Sequence, residues 1–287
     1  MSTRQGRLVS VTSTVGERLG ERFGNRHLAA LGLGFVGVFF VLPVLLLVPE
    51  SLALGTSAPF QSYNRALQGI YVNAFVRSYL YGILTTVATL SLAYLISYYL
   101  AFAAHRVRIA MTLVIVPLWI AYIVRYFGIL LFFSPAGPLA DATGYEPSIL
   151  FTTPAVIVGL ANVYLPFAVL PIYNSLNAIA REFVSASRVL GATKWRTIVS
   201  VIFPLSLPGL VAAGLIVFIL AAGSFLGPAV LGGPKQTMIA NVIAQAFLDN
   251  FNIQFASALA IIYTVLLVGL LLVFNTVFDL REVLGNI

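Results

Sequence analysis

Apolar residues in this chain come in long runs, and the polar stretches between them are too short and irregular to fold alone. A helix needs about 20 apolar residues to cross a hydrocarbon layer. Six runs meet that requirement, near 28–49, 78–104, 109–133, 150–173, 207–230 and 255–278. Between them lie polar stretches at 54–76, 134–148, 174–206 and 231–254, and one tight turn carrying His105, Arg106 and Arg108. The pattern predicts an all-α membrane protein with six transmembrane helices and no separate soluble domain. Pro43, Pro117, Pro154, Pro166 and Pro171 fall inside predicted spans. Each frees a backbone carbonyl that lipid cannot satisfy, so neighbouring helices or a water-lined cavity must take over the bonding. Small residues recur along the spans, as close helix packing in lipid requires.

Composition agrees with the pattern. Of 287 residues 60% are hydrophobic and 9% charged, against about a quarter charged in a soluble domain. The net charge of +7 would suggest nucleic acid only if the basic residues clustered on a water-exposed face. They follow the membrane instead. With the N-terminus inside, twelve Lys/Arg fall on inside segments, and only Arg65, Arg77, Arg125 and Lys235 lie elsewhere. The positive-inside rule then puts both termini, the 105–108 turn and the 174–206 loop in the cytoplasm. Residues 1–27 form a polar tail in which Glu17, Arg18, Glu21 and Arg22 alternate with Val15, Leu19 and Phe23, a pattern that suits a helix lying on the membrane surface or a solvated one. The apolar run after it exceeds the roughly 7–15 residues of a signal-peptide core and reads as an uncleaved first span. Residues 28–287 then form one six-span unit.

The 174–206 loop is the most informative stretch. Ile179, Phe183, Ala186 and Leu190 recur at helical spacing, so residues 178–190 predict a helix with one apolar face and with Arg181, Glu182, Ser185 and Arg188 on the other. Gly191 stands where a helix C-terminus wants positive φ. Thr193 follows as an N-cap for a second helix striped by Trp195, Ile198, Val199 and Ile202. Pro204 and Pro208 are expected to end it and turn the chain into the fifth span. Helix, glycine elbow and second helix together read as a rigid knob on which something docks.

These residues resemble the cytoplasmic loop of permease subunits of ATP-binding-cassette importers. That signature opens Glu-Ala-Ala, has glycine at its seventh position and closes on an Ile-x-x-Pro-like ending. Here it reads Ser185, Ala186, Ser187, three residues, Gly191 and Ala192, then "VIFPLSLPG". The likeness extends over about 60–280, and "IVPLWIAYIVRYFG" (115–128), "LANVYLPFAVLPIYNSL" (160–176) and "GGPKQTMIANVIAQAF" (232–247) resemble the spermidine/putrescine branch. The resemblance implies a type I importer permease whose coupling helix contacts an ATPase through Glu182, Ser185, Ala186, Ser187, Arg188, Gly191 and Ala192. Ser185 replaces the family's glutamate, a departure for which Glu182, one turn earlier, is placed to compensate. It further implies two cytoplasmic ATP-binding subunits carrying ATP and magnesium, a second related permease chain, an extracytoplasmic solute-binding protein, and a path for polyamines or similar small solutes. No cofactor is expected on this chain.

For the path itself the candidates are Trp119, Tyr122, Arg125, Asn162, Tyr164, Asn241, Gln245 and Asp249. Aromatic faces attract ammonium groups by about 0.5–2 kcal/mol each. Arg125 is the one charge well inside a span, placed in the outer third of the third span. It is expected to snorkel to headgroups, to take a carbonyl freed by a nearby proline, or to line a cavity, with Glu50 and Asp249 as acids that could pair with it. Intramembrane hydrolysis has no visible chemistry: there is no cysteine, the two histidines sit at membrane edges, and neither HExxH nor GxSxG occurs. No GxxxxGK[ST] occurs either, so ATP must act on a partner. An ion-coupled carrier built on backbone carbonyls stays open as an alternative.

Overall fold

The computed structural model describes residues 25–52, 60–144 and 148–277. The amphipathic pattern at 15–23 and Arg281 lie outside them. Every element among the described residues is helical. The first span is α1 (Asn25–Val36) joined through a π turn at Gly37–Val41 to α2 (Leu42–Leu52). A short α3 (Gln61–Ala66) precedes α4 (Gly69–Phe102). Then come α5 (Val107–Ile115) with a 3-10 turn to Trp119, α6 (Tyr122–Phe132), α7 (Pro138–Thr143) and α8 (Thr153–Asn177). The loop helix α9 (Arg181–Val189) leads to α10 (Lys194–Thr197), a π turn at Ile198–Ile202 and α11 (Phe203–Ala222). Short helices α12 (Leu226–Leu231) and α13 (Ile239–Ala244) precede α14 (Ile253–Val277). Five helices are long and apolar enough to cross a membrane, and the bent pair α5–α6 makes a sixth span.

Three boundaries differ from the sequence expectation. The second span starts at Gly69 rather than near 78, because Ala74 and Phe75 are buried against Ile239, Phe255 and Leu259 and carry the helix on. At 34 residues α4 is about 51 Å long, well beyond a hydrocarbon layer of about 30 Å. The third span is not one rod: α5 and α6 meet at 101° after Trp119. Pro117 is carried in the 3-10 turn, and the break falls after it, where Ile120 and Ala121 leave helical geometry at ψ 125° and 138°. In the fifth, Pro204 and Pro208 do not end a helix, which runs without interruption from Lys194 to Ala222. The π turn, with Phe203 N–H donating to the Ile198 carbonyl, takes up an extra residue just before Pro204 and seats that proline in the first turn of α11, where a missing N–H costs least. The span then stops at Gly223, and residues 226–231 form a separate helix rather than its end.

The core is the triangle of α4, α8 and α11. Ser97 Oγ donates to the Val169 carbonyl at 3.0 Å between α4 and α8, and the Tyr81 and Thr153 hydroxyls meet at 2.7 Å. Gly209 lets α11 close onto α8: a Cβ there would stand 2.5 Å from Ser175 Cβ and 2.7 Å from the Pro171 carbonyl oxygen. A second cluster joins α14 to α3, α13 and the first third of α4. There Arg77 donates to the Thr237 carbonyl at 2.8 Å and Ile239 N–H to Ser78 Oγ at 2.8 Å. The first span packs on α14 and otherwise exposes its apolar side chains, the arrangement expected of a lipid-facing helix. The chain between α11 and α13 turns back into the bundle, where Gly227 approaches Leu160 and Phe151 N–H donates to the Leu231 carbonyl at 3.0 Å.

Candidate functional site

Two regions carry the predicted residues. The first is the α9–α10 pair, at the end of the bundle where α4 and α8 finish. Arg181 opens α9 and donates to the Ala101 carbonyl in the last turn of α4, with its guanidinium 4.5 Å above the Phe102 ring. The last carbonyls of a helix lack intrahelical partners and carry partial negative charge, so a guanidinium there is held both by hydrogen bonding and by the helix dipole. Val184 is buried, and Ser187 Oγ meets Thr197 Oγ1 at 3.0 Å. Arg181, Val184 and Ser187 therefore set the rotation of α9 about its axis. Of the expected apolar stripe only Ile179 is buried; Ala186 and Leu190 are exposed, and Phe183, also largely exposed, lines a cleft against α8 and α11. Leu190 is 87% exposed, Val189 86% and Trp195 on α10 74%.

The elbow has the geometry its glycine implies. Gly191 adopts φ +83°. Its N–H donates to the Arg188 carbonyl at 3.0 Å and the Ala192 N–H to the Ser187 carbonyl at 3.0 Å, the paired bonds of a Schellman motif. Thr193 caps α10 by accepting from Arg196 N–H at 3.3 Å. Ser185 Oγ is back-bonded to the Arg181 carbonyl at 3.0 Å, while Glu182 and Arg188 are exposed. Arg181 and the Ser187–Thr197 bond were not legible as locks beforehand, since both depend on what α9 folds against. Hydrogen bonds to charged groups contribute about 1.5–3 kcal/mol. Arg181→Ala is therefore expected to speed amide hydrogen exchange at residues 184–192 by roughly ten- to a hundredfold; unchanged exchange there would show that Arg181 does not hold the loop.

The second region lies at the α5–α6 break. Arg125 donates to the Val163 carbonyl at 3.1 Å, to the Asn162 carbonyl, and to Asn162 Oδ1 at 3.3 Å. Pro166, four residues after Asn162, has no N–H to offer that carbonyl. The guanidinium takes the place of the missing helix donor, so of the three roles open to Arg125 the structure selects the carbonyl pairing. The partners are neutral oxygens rather than the carboxylates of Glu50 or Asp249. Asn162 is nine residues into α8, about 14 Å along a helix about 37 Å long. Tyr122 and Tyr164 stand edge to face beside it, with ring centroids 6.4 Å apart. Trp119, at the break, is 88% exposed. The structure thus gathers Trp119, Tyr122, Arg125, Asn162 and Tyr164 around one bend. Asn241, Gln245 and Asp249 stand on a different element, α13 and its π-turn continuation, where Asn241 donates to the Phe225 carbonyl at 2.9 Å and Gln245 and Asp249 are exposed.

The sequence and the fold both match known proteins. Residues 106–282 match the family described as binding-protein-dependent transport system inner membrane component. The chain is 32% identical over 256 residues to the spermidine/putrescine transport system permease protein PotB of Escherichia coli (strain K12), covering 84% of this chain and 93% of that one. It is 31% identical over 253 residues to the protein of the same description from Haemophilus influenzae, covering 83% and 88%. The fold matches a chain in the crystal structure of a bacterial alginate ABC transporter in complex with an alginate pentasaccharide-bound periplasmic protein, at TM-score 0.76 and 17% identity over 90% of this chain and 95% of that one. The chain belongs to the binding-protein-dependent transport system inner membrane component family. It is a membrane-embedded permease subunit of an ABC importer.

Proposed function

We propose that this chain forms half of a translocation path for polyamines such as spermidine and putrescine. The observation that carries the reading is the 32% identity, sustained over 84% of the chain, to a permease whose description names those solutes. In this reading a second, related permease chain completes the path, and a solute-binding protein outside the membrane delivers the substrate. Two cytoplasmic subunits bind and hydrolyse ATP with magnesium, and this chain itself catalyses nothing. Both termini and α9 lie in the cytoplasm, in keeping with the charge bias along the sequence.

The work of the ATPases enters through α9 and α10. Exposed Leu190, Val189 and Trp195 supply apolar surface, Glu182 and Arg188 supply charges, and the Schellman elbow fixes one helix against the other. Arg181 ties this knob to the end of α4, and the chain runs on from α10 into α11 without a break. A push on the knob is therefore delivered to two of the three core helices. Ser185, turned back on its own helix, leaves Glu182 as the acid available to a partner.

One observation favours a second reading, an importer of the same class for a different small solute: the cation within the span, Arg125, has neutral partners and would repel a polycation. Uptake decides between them. Cells expressing the complete transporter should accumulate radiolabelled spermidine or putrescine only when the binding protein is present and the partner ATPase is intact. Binding-protein-dependent ATP hydrolysis without polyamine accumulation would establish the second reading.

A further inference from the structure

The placement of Arg125 bears on how a cation could pass at all. Asn162 is exposed in the single chain, about 14 Å along a membrane-spanning helix, and an amide at that depth belongs against a water-filled cavity or another chain rather than lipid. The same point of α8 presents three oxygens to one cation: the Asn162 carbonyl left without a helix donor by Pro166, the Val163 carbonyl, and Asn162 Oδ1. Tyr122 and Tyr164 pack edge to face on each other near the same turn of α8. Neutral acceptors are the chemistry that holds an ammonium group without trapping it. The group they hold here is the chain's own guanidinium.

We propose that this acceptor set is a cation subsite of the path, occupied at rest by Arg125 and taken over in passage by an ammonium group of the substrate. The proposal rests on the polyamine reading. Arg125 then does two things at once. It satisfies the proline-freed carbonyl when no substrate is present, and it competes with the substrate, so that the ammonium group is held only briefly. Because both cations are monovalent at this site, exchange leaves the local charge unchanged, whereas a carboxylate at the same place would hold a polyamine too firmly to release it. The flexible stem of Arg125 lets the guanidinium swing clear, for it sits on α6, one turn past a 101° break.

The test uses the intact transporter in lipid nanodiscs, without binding protein, and equilibrium binding of radiolabelled spermidine. Arg125→Met, which removes the competitor and keeps an unbranched apolar stem, is expected to bind spermidine at least tenfold tighter than wild type, and Arg125→Lys to stay within threefold of it. Binding by Arg125→Met no tighter than wild type overturns the proposal. Should Arg125→Met fail to assemble, Arg125→Gln decides: it removes the competing charge and keeps a donor on the side chain, so spermidine should again bind at least tenfold tighter than to wild type. Binding by Arg125→Gln no tighter than wild type overturns the assignment. Uptake by the wild type tests the polyamine reading separately, and either result can fail while the other stands.

Discussion

Gly191→Val abolishes productive coupling while leaving the chain in the membrane. The substituted side chain meets no atom, since a Cβ at 191 has nothing within 4 Å. The whole effect comes from the backbone, because φ is +83° and a β-branched residue is a genuine outlier there. Strain of this kind costs about 1–3 kcal/mol, and a cost near 2 kcal/mol depopulates the native elbow roughly thirtyfold. Relieving it means giving up the bonds from Gly191 and Ala192 to Arg188 and Ser187, after which α9 and α10 no longer point in fixed directions. None of the apolar runs changes, so insertion and abundance stay near wild type. Uptake is expected to fall at least tenfold, and ATP hydrolysis to lose its response to loaded binding protein. Gly191→Asn is the control, because asparagine tolerates the left-handed region, and it should retain most of the uptake. Wild-type uptake by Gly191→Val would mean that the knob transmits nothing.

The elbow was legible in advance because its determinants are local. A glycine after an amphipathic turn and a threonine two residues later specify a C-cap and an N-cap from backbone sterics and one hydroxyl, whatever surrounds them. The partner of Arg125 was half legible for the same reason: Pro166 deprives one identifiable carbonyl of its donor, and a buried cation needs an acceptor. What escaped depends on packing or on small backbone adjustments. Which side of α9 faces the body is decided by Arg181 reaching Ala101 and by Ser187 meeting Thr197, contacts between residues 80 and 10 positions apart. Phe183, Ala186 and Leu190 make as good an apolar stripe on paper, yet all three stay largely exposed. Pro204 and Pro208 read as helix breakers, yet Pro204 follows directly on the π turn at 198–202, which no residue in "IVSVI" announces, and Pro208 is carried inside α11. The opposite surprise is the sharp break at Ile120 and Ala121, inside a run apolar enough for one straight helix. The early start of α4 has a similar cause, since Asn73 and Arg77 interrupt the apolar residues of Gly69–Arg77, which passes for a connection until Ala74 and Phe75 find α13 and α14.

Gly209 is where the core is least forgiving, and Gly209→Leu is expected to prevent assembly. At the crossing of α8 and α11 a Cβ would come within 2.5 Å of Ser175 Cβ and 2.7 Å of the Pro171 carbonyl oxygen. The carbonyl belongs to backbone and cannot swing aside, so even alanine must push the helices apart by about 1 Å. In lipid there is little hydrophobic force to restore the contact, because tails are as apolar as leucine and helices are held by close packing itself. Overpacking of this kind costs about 1–3 kcal/mol for a single added group, which gives Gly209→Ala a lower unfolding temperature and Gly209→Leu a chain that does not accumulate. The same crossing closes one end of a cleft of about 440 Å³ lined by Asn174, Ile179, Phe183 and Leu205. Separating α8 from α11 there would also disconnect α9 from the helices it is joined to. Gly214→Ala, five residues further along α11, meets only Leu90 Cδ1 at 3.4 Å and Thr86 Cγ2 at 3.9 Å, ordinary contact distances. It should express and melt like wild type in the purified transporter. Equal tolerance at 209 and 214, measured by yield and thermal unfolding, would show that α8 and α11 do not approach as closely in the assembled protein as their glycine contact requires.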